Sequence, residues 1–305
     1  MRICIAATPS VAIPTLEALL ASDHEIVSVI SRPDAPAGRG RGLKSSAVSD
    51  WASANGIELH KPESIDEISL LVAESDLVIT IGFGVLLPET TLNIPKHGFI
   101  NLHFSLLPRW RGAAPVQRAL EAGDTVTGVT VFKLDAGMDT GPIYTASTVN
   151  IDRMINTPEL LADLSSIGVQ AILDAIALID KGESPKVQSN DGATRANKLS
   201  TEEAQINWSE DSLAIVNKIR AFYPNPGAWS TFREAKIKID AARVGESTLD
   251  PGEITLQGRS VLVGTGNGAI ELLNLKPAGK SAMSAQDWAN GQHLRANEKF
   301  EQLNG

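Results

Sequence analysis

Asn101 and His103 stand two apart in the apolar run Phe99-Ile100-Asn101-Leu102-His103. Alternate side chains share one face of a strand, so Asn101, His103 and then Ser105 are expected to point the same way. Polar groups inside an apolar strand are costly unless they are partnered. An asparagine amide can hold a developing oxyanion, and an imidazole can hold or move a proton. A second cluster, Leu134-Asp135-Ala136-Gly137-Met138-Asp139-Thr140-Gly141-Pro142, directly follows another apolar run and carries two carboxylates. On residue type alone either aspartate also reads as a turn residue bonding its own backbone. His103 likewise reads as a satisfied core histidine.

The elements that must position these residues are legible as periodicity. Short apolar runs at Arg2–Ala7, Ile26–Ser31, Leu77–Ile81, Phe99–His103, Val129–Leu134 and Ile143–Val149 read as strands. Helical spacing falls between them, at Val11–Leu20, Val48–Ala54 and Ile65–Ala73. This alternation predicts βαβ units and a largely parallel sheet whose ligands bind beyond its carboxyl strand ends. A long helix is predicted from Thr157, with the Thr157 hydroxyl as cap and Pro158 at the first helical position, to Lys181. A polar, aperiodic stretch follows. Beyond it come a helix near Asp211–Phe222 and short strands at Ala228–Phe232, Lys236–Ala242, Gly252–Thr255, Ser260–Val263 and Ala269–Leu275. The expected fold class is α/β: a Rossmann-like catalytic domain over 1–188, a linker over 189–204, and a smaller OB-like β-barrel domain over 205–305.

Composition narrows the classes. The 305 residues are 43% apolar and 21% charged, ample for a core. The net charge of −9 argues against a surface that binds nucleic acid everywhere. That charge resides in residues 1–204, with 16 basic and 25 acidic side chains; residues 205–305 carry 11 of each. The lone Cys4 excludes an internal disulfide and fits a reducing cytoplasm. No zinc-ligand spacing, signal peptide or membrane span is expected. The first turn, Ala6-Ala7-Thr8-Pro9-Ser10, lacks GxGxxG and so lacks the usual dinucleotide cradle.

The runs INLHFSLLPRWRGAAPVQRAL and GVTVFKLDAGMDTGPIY closely resemble the folate-dependent formyltransferases, as does the 38-residue spacing from Asn101 to Asp139. The resemblance extends over nearly the whole chain. RGAAPVQRAL and LKPAGKSAMSAQDW are similar to the branch that acts on methionyl-tRNA. It implies that Asn101, His103 and Asp139 are catalytic. Asn101 and His103 would donate to the oxyanion, while Asp139 would set the protonation of His103 or accept the amine's proton. It implies 10-formyltetrahydrofolate as cosubstrate, bound by Ser105, Leu106, Leu107 and Pro108 and by the loop of Phe83, Gly84, Val85, Leu86 and Leu87. No metal is implied. The chain departs from the family pattern with Phe83 where Tyr is usual, Ala7 where Gly is common, and Arg195 where Tyr is common.

The implied acceptor is initiator methionyl-tRNA, with no protein or membrane partner and a monomeric enzyme. The loop from Arg32 to Lys44 holds Arg32, Arg39, Arg41 and Lys44 against Asp34, a local +3. In the resembling enzymes this loop contacts the acceptor stem, and Arg41 leads the candidates here. Lys218, Arg220, Arg233, Lys236 and Lys238 are further candidate phosphate contacts. Formyl transfer to an amino sugar, to glycinamide ribonucleotide or to water would use the same triplet and differ only in acceptor. A nicotinamide oxidoreductase or a non-catalytic RNA-binding module would leave the Asn101–His103 pattern unexplained.

Overall fold

A computed structural model of the chain describes residues 1–37, 42–295 and 297–301. It divides by contacts into two compact units. One comprises 1–115, 126–149 and 161–196; the other comprises 116–125, 150–160 and 197–305. The stretch expected as a linker is therefore split: residues through Ala196 contact the first unit, and those from Asn197 contact the second.

The first unit is built on a seven-stranded sheet in the order Ile143–Asn150, Val126–Lys133, Phe99–His103, Leu77–Ile81, Arg2–Ala7, Glu25–Ile30, Leu59–His60. From Phe99–His103 to Leu59–His60 every pairing is parallel; Val126–Lys133 runs antiparallel to Phe99–His103. This is the expected α/β, Rossmann-like sheet. After Arg2–Ala7 the chain builds to one side, then returns to lay Leu77–Ile81 on the other. That reversal opens a crevice at the carboxyl ends of these two strands. Gly82 turns the chain there at φ +58, and a Cβ on it would lie 2.6 Å from the Pro9 ring. Ala7 ends its strand fully buried and outside the left-handed region, so the turn needs no glycine at that position.

The helix Thr157–Asp180 is long and apolar enough to cross a membrane by composition alone. Here Gly168 lets it approach the sheet, where a Cβ would meet Leu102 at 2.6 Å. Its cap corrects the sequence reading. Asn156 accepts from the Glu159 amide at 3.2 Å and Glu159 returns to the Asn156 amide at 3.0 Å, a reciprocal capping box. The Thr157 hydroxyl is buried and donates instead to the Ala221 carbonyl at 2.7 Å.

The second unit carries a six-stranded antiparallel sheet in the order Trp229–Phe232, Ala235–Gly245, Ala269–Pro277, Ser260–Gly264, Ile254–Gln257, with Met283–Ser284 also on Ala269–Pro277. The chain's last described segment closes it toward a barrel. The Ile254 amide donates to Glu298 and the Phe300 amide to Gly252, while the Glu301 amide donates to Thr231 at the opposite edge. Inside, Phe300 stacks between Trp208 and Trp288 at centroid distances of 5.1 and 5.8 Å. Thus Trp288, from the QDW motif, is a core residue. Its helix, Ala285–Gln292, is capped by Ser284.

Candidate active site

Asn101 and His103 occupy the Phe99–His103 strand two positions apart, on the face opposite Leu102. The strand ends at His103, so the alternation does not carry to Ser105. The Ser105 side chain is fully buried and donates to the Arg109 carbonyl at 2.7 Å. Around it, Thr130 donates to the Ser105 carbonyl and accepts from the Leu107 amide. Leu107 is buried, while Leu106 and Pro108 are half-buried. The segment 105–108 therefore forms a tightly bonded turn beside His103, and its one hydroxyl is committed within it.

His103 is the pivot. Its Nε2 lies 2.9 Å from the Trp110 carbonyl, which can only accept, so the proton sits on Nε2 and Nδ1 carries the lone pair. Nδ1 faces Asp139 Oδ2 at 3.7 Å, with the two side chains 6% and 17% exposed. Burial pushes the imidazole below its ordinary value, outweighing the Asp139 carboxylate and the Trp110 carbonyl that pull it up. The ring is neutral at neutral pH and presents an acceptor on the side of Asp139.

The structure sorts the two aspartates. Asp135 accepts from the Gly137 amide at 3.0 Å and the Thr140 hydroxyl at 2.7 Å, which makes it the turn residue. Asp139 sits in the left-handed region at φ 54. Its Oδ2 accepts from the Gly112 amide at 2.7 Å, and its carbonyl accepts from Gln188 Nε2 at 3.1 Å. Gln188 also donates to the Gly141 carbonyl at 3.0 Å and takes the Arg111 Nε at 2.8 Å. Gly112 is itself held by pairing with Ala196, where a Cβ would lie 2.7 Å from the Ala196 carbonyl. Gly112, Gln188 and the Trp110 carbonyl were missed in the sequence. A buried glutamine in an aperiodic stretch gives no periodic signal, and a backbone carbonyl gives none at all.

The loop 83–87 leaves the switch point as expected. Phe83 and Leu87 are buried in an apolar cluster with Cys4, Ala6, Ile30, Leu92 and Phe99, against which Val85 and Leu134 pack. Gly84 and Leu86 are exposed, Leu86 by 70%. A cleft of about 440 Å³ adjoins this cluster, lined by Leu92, Lys133, Leu134, Asp135, Ala136 and neighbours. It reaches the Asp139 loop but not Asn101 or His103. Among the described residues no group of three or more His, Cys, Asp or Glu converges to hold a metal.

Of the basic loop, Ala35–Ala37 and Gly42–Lys44 form a two-stranded hairpin, and Asp34 pairs with Lys61 at 2.5 Å. Arg32 and Lys44 are exposed; Arg39 and Arg41 lie outside the described residues. The later candidates are mostly committed. Arg220 is 9% exposed and bonds Asn217 and the Asp152 carbonyl. Arg233 pairs with Glu298, Lys236 lies 3.6 Å over the Trp229 ring, and Lys238 donates to the Pro226 carbonyl. The sequence could not show that these cations serve the fold.

Residues 1–176 match the family model described as formyl transferase, and residues 198–293 the one for the formyl transferase C-terminal domain. The chain is 42% identical to a methionyl-tRNA formyltransferase of Salinispora tropica over 307 residues, covering 98% of this chain and 99% of that one. A methionyl-tRNA formyltransferase from Clostridium thermocellum shares the fold at TM-score 0.58 and 16% identity, over 90% of this chain and 99% of that one. HypX from Aquifex aeolicus, in complex with tetrahydrofolic acid, shares it at TM-score 0.67 and 17% identity, over 98% of this chain but only 48% of the HypX chain. Fold and sequence define an enzyme that transfers a one-carbon group. The chain belongs to the formyl transferase family.

Proposed function

We propose that this enzyme moves the formyl group of 10-formyltetrahydrofolate to the α-amino group of methionyl initiator tRNA in the cytoplasm, giving N-formylmethionyl-tRNA for translation initiation. The observation that carries this reading is His103, buried and neutral with its Nδ1 opposite Asp139, in a chain that aligns end to end with methionyl-tRNA formyltransferases. The cleft beside the 83–87 loop is within the size range of a small-molecule site. Its mixed lining, Leu92, Leu134 and Pro142 beside Asn93, Lys133 and Asp135, suits a flat heterocycle with polar edges.

In this reading Asn101 donates to the formyl oxygen as negative charge collects there. His103 Nδ1 takes the proton that the attacking amine loses as the new carbon–nitrogen bond forms. Asp139 stabilises the resulting imidazolium. His103 then returns the proton to the folate nitrogen as the old bond breaks, so atoms and charge balance over one turnover. The sequence expectation of His103 as an oxyanion donor applies only once it is protonated, because the resting Nε2–H is held by Trp110. No step calls for a metal, since the transferred group is already an activated amide and the charge is a single oxyanion.

The acceptor assignment is tested by supplying labelled 10-formyltetrahydrofolate with charged initiator tRNA, with water alone, or with a nucleotide-linked amino sugar. Label is expected on the methionyl-tRNA alone. Release as formate, or transfer to the sugar at comparable kcat/KM, would contradict it.

A further inference from the structure

An oxyanion donor works only if its N–H end faces the oxygen, and a carboxamide presents two similar ends. The strand Leu77–Ile81 pairs in parallel with Phe99–His103, and in that register Thr80 lies opposite Asn101. Thr80 is 4% exposed and stands alone as a hydroxyl in the apolar run Leu77-Val78-Ile79-Thr80-Ile81. Its Oγ1 donates to Asn101 Oδ1 at 2.8 Å; the Ile100 carbonyl, at 3.2 Å, is the poorer acceptor for the same single proton. On the other flank Asn101 registers with Phe132, whose ring has no group that could hydrogen-bond the carboxamide. With Oδ1 held by Thr80, Nδ2 is the end of the Asn101 carboxamide left to donate. It has no protein acceptor among the described residues.

We infer that Thr80 is a positioning residue for formyl transfer: its hydroxyl fixes the Asn101 carboxamide so that N–H, and not C=O, meets the developing oxyanion. The inference rests on the reading of Asn101 as the oxyanion donor. Without the hydroxyl, the amide rotates freely and its oxygen occupies the donor position for part of the time, where it would repel the charge.

The test is a cycle of four enzymes: wild type, Thr80→Val, Asn101→Ala and the double variant. Thr80→Ser serves as the rescue and Thr80→Ala as a second truncation. Valine is nearly isosteric and a good strand former, so the sheet is expected to persist; thermal unfolding of each variant checks this. Thr80→Val is expected to lower kcat on the order of tenfold, the worth of one net hydrogen bond, and to leave both KM values within about twofold. Thr80→Ser should restore kcat to within about twofold. Asn101→Ala is expected to lose about 10²-fold or more. In that background Thr80→Val should cost nothing further, because the amide through which it acts is gone.

Near-wild-type kcat in Thr80→Val and Thr80→Ala, with Asn101→Ala impaired, would overturn the role of Thr80 and leave Asn101 as donor. An equal loss from Thr80→Val in both backgrounds would show a merely structural effect and also overturn it. Near-wild-type kcat in Asn101→Ala would remove the reading beneath both.

Discussion

Asp139 and His103 meet across 3.7 Å, a separation at which charge matters and a direct hydrogen bond does not form. Replacing Asp139 by Asn keeps an oxygen for the Gly112 amide and removes the carboxylate that steadies a protonated His103. The kcat of Asp139→Asn is expected to fall about 10²–10⁴-fold, with a melting temperature close to wild type. Steady-state kinetics and thermal unfolding on one preparation check both. His103 also ties stability to pH. Its folded pKa is depressed by burial, so between the two values the unfolded chain binds the extra proton. The stability it contributes is whole above about 6.5, the unfolded value, and is lost as pH falls below that. Between pH 7 and pH 5, the wild-type melting temperature should therefore drop more steeply than that of His103→Ala. At this scale the sequence showed residue types and strand alternation, which placed Asn101 and His103 on one face. Residue type alone could not separate Asp139 from Asp135, because both fit a glycine-rich turn; the family resemblance singled out Asp139. Only the Thr140 and Gly137 donors to Asp135 assign the turn to it.

Elements do the holding. The Arg111–Gly112 strand pairs with Arg195–Ala196 and delivers the Gly112 amide to Asp139. Gly112 has φ 127 and no room for a Cβ beneath the Ala196 carbonyl. Gly112→Ala should shift this ladder and cost kcat by about tenfold or more, while the secondary structure seen by circular dichroism is retained. A full-rate Gly112→Ala enzyme would show that Asp139 needs no such support. Trp288 is held differently, by rings. Removing it opens a cavity against Phe232 and Phe300, which typically costs 3–5 kcal/mol. Trp288→Ala is expected to lower the unfolding midpoint of the second unit without altering the His103–Asp139 geometry. Most elements were legible because each repeats at period two or 3.6. The cap of the long helix was misread, since Asn156 and Thr157 are both good caps and only the Ala221 carbonyl claims the threonine. Long-range ladders such as Arg111–Gly112 with Arg195–Ala196 leave no local pattern to read.

On the scale of the molecule, acidic charge is concentrated in residues 1–204, while a basic loop emerges from the same portion. The hairpin base is fixed by strand pairing, and Lys61 takes the charge of Asp34. Asp34 is thus paired with a cation from outside the loop. If this loop holds tRNA phosphates, Arg41→Ala should raise the KM for tRNA several-fold, leave the KM for the folate donor unchanged, and reduce the salt slope of acceptor binding by about one charge. A salt slope equal to wild type would take Arg41 out of the contact. The barrel closure by residues 298–301 was hidden from the sequence, because backbone hydrogen bonds carry it and residue type says little about them.

The central claim is that His103 relays the proton of formyl transfer from a neutral, buried imidazole. The most direct measurement is the single-turnover rate of formyl transfer to methionyl initiator tRNA by wild type and His103→Ala across pH 5 to 8. The expected result is a variant slower by about 10²–10⁴-fold, whose rate falls less steeply with pH below about 6.5 than that of wild type, because only the protonation of the substrate amine remains. A variant that transfers formyl at close to the wild-type rate, or one that is slow but has the same pH profile as wild type, would contradict it.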